Sequence, residues 1–170
     1  MSPTPPIAQA EARAVDVFTI LLHAVDMLDW DTVRRCVAAE IATDYASLWG
    51  GEPEDLTVDQ LVGWWQPFAT GFDATQHLTG PIAVTHADDS SATALTTVRA
   101  YHHIVADDGP AGTWMVAGHY RITLDRTTDG WKISAITLSL AYEDGDRALV
   151  EVARQRGETR TGGRFAATSR

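Results

Sequence analysis

The spacing of hydrophobic residues changes from a helical to an alternating period about midway along the chain. Residues 8–28 are rich in Ala, Leu and Val and contain no Gly or Pro, which predicts a long first helix. The acidic turn "DWD" at 29–31 is typical of a helix cap and predicts a second, short helix that runs through 36–39. Residues 41–49, "IATDYASLW", are predicted to form a short strand.

A third helix is predicted to begin at Thr57. The sequence "TVDQ" has the form of a capping box, in which Thr57 and Gln60 satisfy free amide groups at the start of a helix. Apolar residues follow at helical spacing at Leu61, Trp64, Trp65 and Phe68. Pro67 is expected to end or kink this helix, since proline removes a helical hydrogen bond.

The second half of the chain reads as strands. Residues 82–86, 92–105, 113–126 and 131–142 alternate between apolar and polar positions and are separated by the turn sequences "ADDS", "ADDGPAG" and "TTDG". Three helices followed by a meander of long strands predict an α+β fold, with helices on one face of a curved, mostly antiparallel sheet whose concave side can hold a ligand.

The predicted domain organisation is simple. Residues 1–7 form a proline-rich leader, 8–143 one domain, 144–156 a C-terminal helix, and 157–170 a tail too polar and glycine-rich to be ordered. A chain of 170 residues, 45% of them hydrophobic, is long enough for one sizeable core and short for two.

Charge and cysteine content exclude several partners and compartments. The net charge of -10 argues against a surface that neutralises phosphates, so neither nucleic acid nor an anionic membrane is an expected partner. Cys36 is the single cysteine, which rules out an intramolecular disulfide. With no secretory signal and no run of apolar residues long enough to cross a bilayer, the sequence predicts a cytoplasmic protein.

One carboxylate falls on the wrong side of the first helix. At about 100° per residue, Asp26 lies in line with Val15 and Leu22, inside the apolar stripe. Burying an unpaired ionised group costs several kcal/mol, so Asp26 is expected to be neutral or to meet a donor, for which a histidine is the obvious candidate. The alternative is that Asp26, one turn from the helix end, reaches water or caps a neighbouring segment.

Two histidine segments can supply that donor. The triplet "TQH" at 75–77 stands where an extended segment begins, and is either a solvated edge or the lip of a pocket. In "VRAYHHIV", alternation places His102 on the smaller, more apolar face and His103 on the other. His102 is therefore expected to point inward, where a satisfied core histidine is the commoner role.

These residues also carry a resemblance to a known family. "VDMLDWDTVRRCVAAEIATDYAS", followed by "TQHLTG" and later by "GHYRITLDRTTDGWKI", resembles the scytalone dehydratase family, in the SnoaL-like branch of the nuclear transport factor 2 superfamily. The similarity runs from about Val15 to Tyr142. It implies a cone-shaped fold in which three N-terminal helices pack on a strongly curved sheet and enclose a pocket.

The resemblance also implies a set of site residues. It places an acid at Asp26, a general-base histidine at His77, a second pocket histidine at His102 and a pocket tyrosine at Tyr45; lindane dehydrochlorinase, a relative, has a similar Asp and His pair. In these roles Asp26 orients His77, His77 removes a proton beside a carbonyl or leaving group, Tyr45 bonds to the oxygen that becomes negative, and His102 protonates a departing hydroxyl. Such chemistry needs no metal or organic cofactor. The predicted apolar walls are Leu61, Trp65, Phe68, Ile136, Leu138 and Leu140, which suit a flat, ring-containing substrate.

The chain departs from the family pattern at two places. The dehydratases carry a second tyrosine directly before the helix acid, where this sequence has Val25, so one carbonyl-polarising donor is missing. If the similarity is followed through "DGW", His119 and Arg121 fall at pocket-lining positions, where they would favour an anionic or enolate-like ligand. Alternation alone groups them on the face opposite Val116 and Tyr120, and a β-bulge would exchange the two faces. Both placements stay open.

The six tryptophans and a possible metal site have less specific explanations. Most of the tryptophans are expected in the core or at a subunit interface rather than stacked on a ligand. Asp26, His77 and His102 have residue types that suit a divalent ion, but no motif spacing supports one, so no metal is predicted.

Three functions remain in competition. The first is a cofactor-independent dehydratase or isomerase acting on a cyclic ketone, phenol or polyketide-like compound, and the second is a SnoaL-like polyketide cyclase. The third is a non-catalytic binding or assembly subunit, resembling the β subunits of ring-hydroxylating dioxygenases. A cavity holding an Asp26–His77 pair would favour an enzyme, and a pocket filled by core side chains would favour the assembly subunit. The resemblance further implies a homo-oligomer, either a trimer or a dimer.

Overall fold

A computed structural model describes residues 6–105 and 109–160, with side chains from residue 15 onward. Within these ranges the helices are α1 (Pro6–Met27), α2 (Trp30–Cys36), α3 (Ala46–Trp49), α4 (Val58–Gly71) and α5 (Leu149–Thr159). The strands are β1 (Val37–Asp44), β2 (Glu54–Thr57), β3 (Ala74–Thr79), β4 (Ala83–Ala87), β5 (Ser91–Ile104), β6 (Gly112–Thr127) and β7 (Gly130–Gly145). Predictions made for residues 1–5 and 161–170 lie outside the described residues.

A sharp turn joins α1 to α2. Leu28 takes a left-handed conformation with φ 58°, and the backbone N–H of Asp29 donates to the carbonyl of Ala24 over 2.8 Å, which closes the last turn of α1. The Asp29 carboxylate then accepts from the backbone N–H of Thr32 at 3.0 Å and begins α2, as the "DWD" sequence predicts. Because only Leu28 and Asp29 lie between the helices, the C-terminal end of α1 has a fixed orientation relative to α2.

The chain after α2 differs from the prediction in two respects. Strand β1 begins at Val37, so the short helix ends earlier than predicted, because hydrogen bonding to strands on both sides outweighs the helical preference of Ala38 and Ala39. The predicted strand over 41–49 ends at Asp44, and α3 follows. The Asp44 carboxylate accepts from the backbone N–H of Ala46 at 3.1 Å, which starts the helical turn.

Helix α4 begins as predicted and ends later. Thr57 Oγ1 accepts from the backbone N–H of Gln60 at 3.2 Å, and Gln60 Oε1 accepts from that of Thr57 at 2.8 Å, so the capping box is present. The prediction that Pro67 ends the helix is wrong, because α4 continues to Gly71. Buried residues flank the proline on both sides, and their packing compensates for the one missing hydrogen bond.

The strands form one curled, unclosed sheet in the order β2-β1-β7-β6-β5-β3, with β4 also paired to β5. Every pairing is antiparallel except that of β1 with β7, which is parallel. The predicted α+β cone is therefore confirmed. Its core is built from large apolar side chains, with Phe18, Phe72, Leu61, Ile133 and Trp114 each at most 1% exposed. Among the described residues, no helix combines the length and apolar character needed to cross a bilayer.

Helix α5 packs against α4 with backbone in contact with backbone. A Cβ atom added at Gly71 would lie 1.8 Å from the carbonyl oxygen of Ala153, and one added at Gly157 would lie 1.8 Å from that of Pro67. Arg156 and Arg160 both bind the Asp73 carboxylate, at 2.8 and 2.9 Å. The predicted C-terminal helix thus begins later than residue 144 and continues past 157 to Thr159, because these contacts order a segment whose composition predicted a flexible tail.

We expect the close contact between α4 and α5 to make Gly71→Ala and Gly157→Ala destabilising. Each new methyl group must displace a backbone carbonyl, and overpacking of this kind costs about 1–3 kcal/mol of the free energy of unfolding. Urea unfolding measures the loss. Gly63→Ala is the matched control on α4, because nothing lies within 4 Å of its added Cβ, and helix propensity makes that variant neutral or up to about 1 kcal/mol more stable. Equal stability of all three variants would contradict the described packing.

Candidate active site

A cavity of about 450 Å³ opens inside the cone. Helices α1, α3, α4 and α5 and the strands β3, β5, β6 and β7 supply its walls. The walls are largely apolar, with Leu22, Val116, Ile136 and Leu138 among them. Polar groups of Thr75, His77, His102, Tyr45 and Tyr120 enter this apolar space. A cavity of this size and composition suits a small ring-containing molecule.

Asp26 joins the last turn of α1 to strand β3. Its Oδ1 lies 2.7 Å from Nδ1 of His77 and accepts from the hydroxyl of Thr75 at 2.8 Å. Its Oδ2 accepts from the backbone N–H of His77, also at 2.8 Å. The helix carboxylate that the sequence places in an apolar stripe therefore meets a histidine, and the "TQH" segment forms the lip of a pocket rather than a solvated edge.

The ionised form of Asp26 is the one that its surroundings favour. Burial alone would raise the pKa of Asp26, but the hydrogen bonds and charge of His77, with the hydroxyl of Thr75, outweigh burial and hold that pKa below its usual value. The two side chains are 16% and 11% exposed, for Asp26 and His77 respectively. Since Nδ1 of His77 is occupied by the carboxylate, Nε2 is the ring nitrogen left for a ligand in the cavity.

His102 lies in a cage of aromatic rings beside this pair. It is 5% exposed, and its ring centroid lies 4.7 Å from that of Trp114 and 5.0 Å from that of Phe72. Its centroid is 6.1 Å from that of His77, and both rings line the cavity. Alternation predicted the inward direction of His102 and the exposure of His103, and both are observed.

Two tyrosine hydroxyls meet in the cavity wall. Tyr45 precedes α3 and Tyr120 lies on β6, and their hydroxyls are hydrogen-bonded to each other. Burial raises the pKa of Tyr45 well above its usual value, and the bond to Tyr120 raises it further. The pKa of Tyr120 is raised to about 12, because burial and the charge of Asp26 outweigh the lowering effect of the bond to Tyr45. The bond raises the pKa of Tyr45 and lowers that of Tyr120, so Tyr45 is the donor and Tyr120 the acceptor, and Tyr120 is the phenol that senses Asp26.

Comparison with known families matches residues 7–137 to the family described as SnoaL-like domain. The match covers most of the chain and includes Asp26, Tyr45, His77, His102 and Tyr120. The protein belongs to the SnoaL-like family.

Individual relatives of this SnoaL-like protein agree with that assignment. A scytalone dehydratase-like protein of Claviceps purpurea is 26% identical over 164 residues, which cover 86% of this chain and 96% of the relative. The crystal structure of the Kfla4162 protein from Kribbella flavida has a TM-score of 0.76 and 27% identity, and the match covers 86% of this chain and 98% of that one. A hexachlorocyclohexane dehydrochlorinase from Novosphingobium barchaimii shares the fold, with a TM-score of 0.64 and 12% identity over 84% of this chain and 93% of that one.

The predicted apolar walls of the SnoaL-like cavity are found in part. Trp65, Phe68, Ile136 and Leu138 line the cavity. Leu61 is fully buried in the core instead, and Leu140 packs at the edge of the core without being part of the described cavity lining. The prediction for Leu61 is wrong because this residue faces the core at the start of α4, while the cavity faces the later turns of that helix.

The placement of His119 and Arg121 in the pocket is wrong. Both side chains are exposed on the outer face of β6, while Val116 and Tyr120 on its inner face line the cavity. The β6–β7 pairing does shift register after Ala117, but His119 and Arg121 keep the outward direction that simple alternation gives them. Alternation was thus a better guide than the family alignment, and it would have identified Tyr120.

Sequence reasoning also missed the aromatic and charged parts of the cavity. Trp49, Trp64 and Trp114 line it, although Trp49 and Trp114 also pack in or against the core, as was expected for most of the tryptophans. Arg154 and Glu158 of α5 line it as well. These two were missed because no pattern in the sequence indicates where α5 packs. Over the ranges that the structure describes, no group of three or more His, Cys, Asp or Glu side chains is arranged to hold a metal ion.

We expect Asp26→Asn to destabilise the protein in a pH-dependent way. The amide has one acceptor oxygen in place of two and cannot accept all three hydrogen bonds that Thr75 and His77 donate. At pH 7 the free energy of unfolding should therefore fall by about 1–3 kcal/mol. Because the pKa of Asp26 is lowered by folding, its stabilising effect is complete above the unfolded value of about 3.9 and is lost as the pH falls through the folded value. The difference between wild type and variant should therefore shrink below about pH 4.

Urea unfolding between pH 7 and pH 3 measures this difference. Asp125→Asn is the control, because it removes one exposed carboxylate from β6 and should change stability by less than about 0.5 kcal/mol. A loss at Asp26 that stays constant over the whole pH range would contradict a carboxylate held in its ionised form.

Proposed function

We propose that this SnoaL-like protein is a lyase or isomerase that removes a proton from a cyclic carbonyl compound, with His77 as the base and Asp26 as the group that orients it. The observation that carries the proposal is the 2.7 Å contact between Asp26 Oδ1 and His77 Nδ1 at the wall of an apolar cavity. The proposal is supported by a relative named as scytalone dehydratase-like and by a protein of the same fold named as a hexachlorocyclohexane dehydrochlorinase, because eliminations of water or of hydrogen chloride can begin with loss of a proton next to the leaving group.

The base works through the nitrogen that Asp26 does not occupy. A neutral His77 with its proton on Nδ1 presents the Nε2 lone pair to the cavity, and takes a proton from the carbon next to the substrate carbonyl. The electron pair of the broken C–H bond moves to the carbonyl oxygen and forms an enolate. The carboxylate of Asp26 stabilises the imidazolium that results, and the apolar walls strengthen this attraction because they exclude water.

Tyr120 is the proposed donor to the enolate oxygen. It lines the cavity, and Tyr45 can hold its oxygen by donating to it, which leaves the proton of Tyr120 for a ligand. A donor from β6 would thus supply what the family tyrosine supplies at the position of Val25. Such a donor stabilises charge that exists only after proton transfer, so it accelerates the reaction rather than merely tightening binding.

His102, which lies beside the Asp26–His77 pair, completes the proposed reaction. In a dehydration, a proton from His102 joins the departing hydroxyl, the C–O bond breaks, and water leaves as the enolate electron pair forms the new double bond. In an isomerisation, the proton returns to a different carbon and no group departs. The aromatic cage fixes the ring of His102 for either role.

A polyketide cyclase is the second candidate, favoured by the SnoaL-like family match. The same proton removal would create a carbon nucleophile that closes a ring within the substrate. Mass spectrometry of the product identifies dehydration, which removes one water, and NMR of the product separates isomerisation from ring closure, since neither of these changes the mass. A non-catalytic assembly subunit is less well supported, because the cavity is not filled by core side chains and holds the Asp26–His77 pair.

The base assignment predicts a loss of proton-transfer activity in His77→Ala. Exchange of the α-hydrogens of 2-tetralone, a flat bicyclic ketone, with D₂O can be followed by NMR without knowledge of the natural substrate. We expect the enzyme-catalysed exchange to fall by about 10²–10⁴, the usual contribution of a positioned base. His119→Gln is the control, because it removes an exposed histidine from the outer face of β6. Exchange by His77→Ala at the wild-type rate would show that another group is the base.

The donor assignment predicts unequal effects of the two tyrosines. Tyr120→Phe keeps the ring and its edge-on contact with Phe18 at 5.5 Å but removes the hydroxyl. Its catalysed exchange rate should fall about 10²-fold at saturating ketone, as for the loss of an oxyanion donor. Tyr45→Phe should lose less, since Tyr45 acts through Tyr120. If Tyr45→Phe lost more than Tyr120→Phe in the same assay, the two roles would have to be exchanged.

A further inference from the structure

Helix α5 is a fixed wall of the cavity. Its glycine contacts with α4 leave no space for movement between the two backbones. Arg156 and Arg160 anchor its last turn to Asp73, which also accepts from the backbone N–H of Val105 at 2.8 Å. The backbone positions from which α5 directs side chains into the cavity are therefore fixed relative to α4.

Arg154 is the cationic side chain that α5 directs into this cavity. Its guanidinium lies over the indole of Trp49, 5.5 Å from the ring centroid. The guanidinium of Arg147 lies 5.3 Å from the same centroid, but Arg147 is bound to Glu143 and donates to the carbonyl of Leu48 at 2.8 Å. Two guanidinium groups therefore contact Trp49: that of Arg147, which is already paired with Glu143, and that of Arg154, which faces the cavity.

Arg154 differs from its neighbours in lacking a carboxylate partner within the described part of the chain. Of the four arginines between residues 147 and 160, Arg147, Arg156 and Arg160 are paired with Glu143 or Asp73. Glu158, one helical turn after Arg154, also lines the cavity, but the two side chains do not form an ion pair with each other. A guanidinium in this position has donors to offer a ligand, and its planar shape matches a carboxylate.

Arg154 lies on a different element from the groups that are proposed to move protons. The acid, base and phenol groups come from α1, β3, β5, β6 and the segment before α3, whereas Arg154 comes from α5. A substrate that places its reacting carbon at His77 would direct its other end towards α5. An anionic group on that end would gain an ionic hydrogen bond without contacting the groups that move protons.

We propose that Arg154 determines the substrate class of the cavity by binding an anionic substituent, most directly a carboxylate, on a flat ring compound whose reacting end lies at His77. The proposal rests on the proposed function for the direction of the substrate, but not for the anion site itself. Trp49 supports the guanidinium of Arg154 by a cation–π contact, and Glu158 disfavours a second negative group next to the first.

Isothermal titration with 2-naphthoate and with its neutral counterpart 2-naphthamide tests the anion site. The full-length wild type is expected to bind the carboxylate more tightly than the amide. Arg154→Gln should weaken 2-naphthoate binding about tenfold, as for the loss of a partly exposed charged hydrogen bond, and should leave 2-naphthamide within about twofold. Arg154→Lys should retain part of the preference, and Glu158→Gln should strengthen 2-naphthoate binding.

Arg121→Gln is the matched control, because it removes the same charge from an exposed position on the outer face of β6. It should leave both affinities unchanged. Equal losses for the two ligands in Arg154→Gln would mean that Arg154 only covers Trp49, and would overturn the proposal. So would a wild type that binds the carboxylate no better than the amide.

His77→Ala separates this proposal from the proposed function. If the preference for 2-naphthoate persists in His77→Ala and disappears in Arg154→Gln, the anion site lies at α5. If the preference instead disappears in His77→Ala and persists in Arg154→Gln, the carboxylate binds the histidine and the proposal is wrong. The deuterium exchange of neutral 2-tetralone tests the base independently, so either result can stand without the other.

Discussion

The hydrogen bonds of one carboxylate connect the first helix to the sheet. Asp26 accepts from the Thr75 hydroxyl, from the His77 backbone and from the His77 ring, so its two oxygens serve three donors on one strand. A carboxylate in an apolar stripe would be costly without such partners. The same bonds that satisfy the charge also set the distance between α1 and β3 and the orientation of the histidine. Fold and site therefore depend on the same atoms.

The apolar walls give this polar cluster its effect. In water, an aspartate and a histidine at this distance would attract each other weakly, and solvent would compete for each hydrogen bond. Inside the cone, Leu22, Val116 and Ile136 exclude much of that solvent, which strengthens the interaction and keeps the phenols of Tyr45 and Tyr120 neutral. Strong charges in addition to the pair, such as Arg154, come from the separate helix α5, where their hydration is partly retained.

The sequence predicted those features that depend on local chemistry. The capping box at Thr57, the aspartate cap at Asp29 and the inward direction of His102 each follow from a few neighbouring residues. Asp26 could be recognised because its position conflicts with its environment. By contrast, the continuation of α4 past Pro67 and the change from strand to helix after Asp44 depend on packing against distant segments, which no local pattern contains.

The same distinction applies to the site. The resemblance to a family indicated Asp26 and His77, which the structure brings within 2.7 Å of each other. It misplaced His119 and Arg121, because an alignment of sequence letters carries no information about which face of a strand a residue occupies. Trp49 and Arg154 could not be assigned to the cavity from sequence, since their positions depend on the curl of the sheet and on the packing of α5 against α4.

The position of β3 at the end of the sheet gives the aspartate one more consequence. An edge strand exposes backbone N–H groups that can pair with a strand of another molecule. Here Oδ2 of Asp26 occupies the N–H of His77, and α1 lies along β3. The side chain that orients the histidine therefore also removes one backbone donor from the exposed edge of the sheet, where a strand of another molecule would otherwise find it.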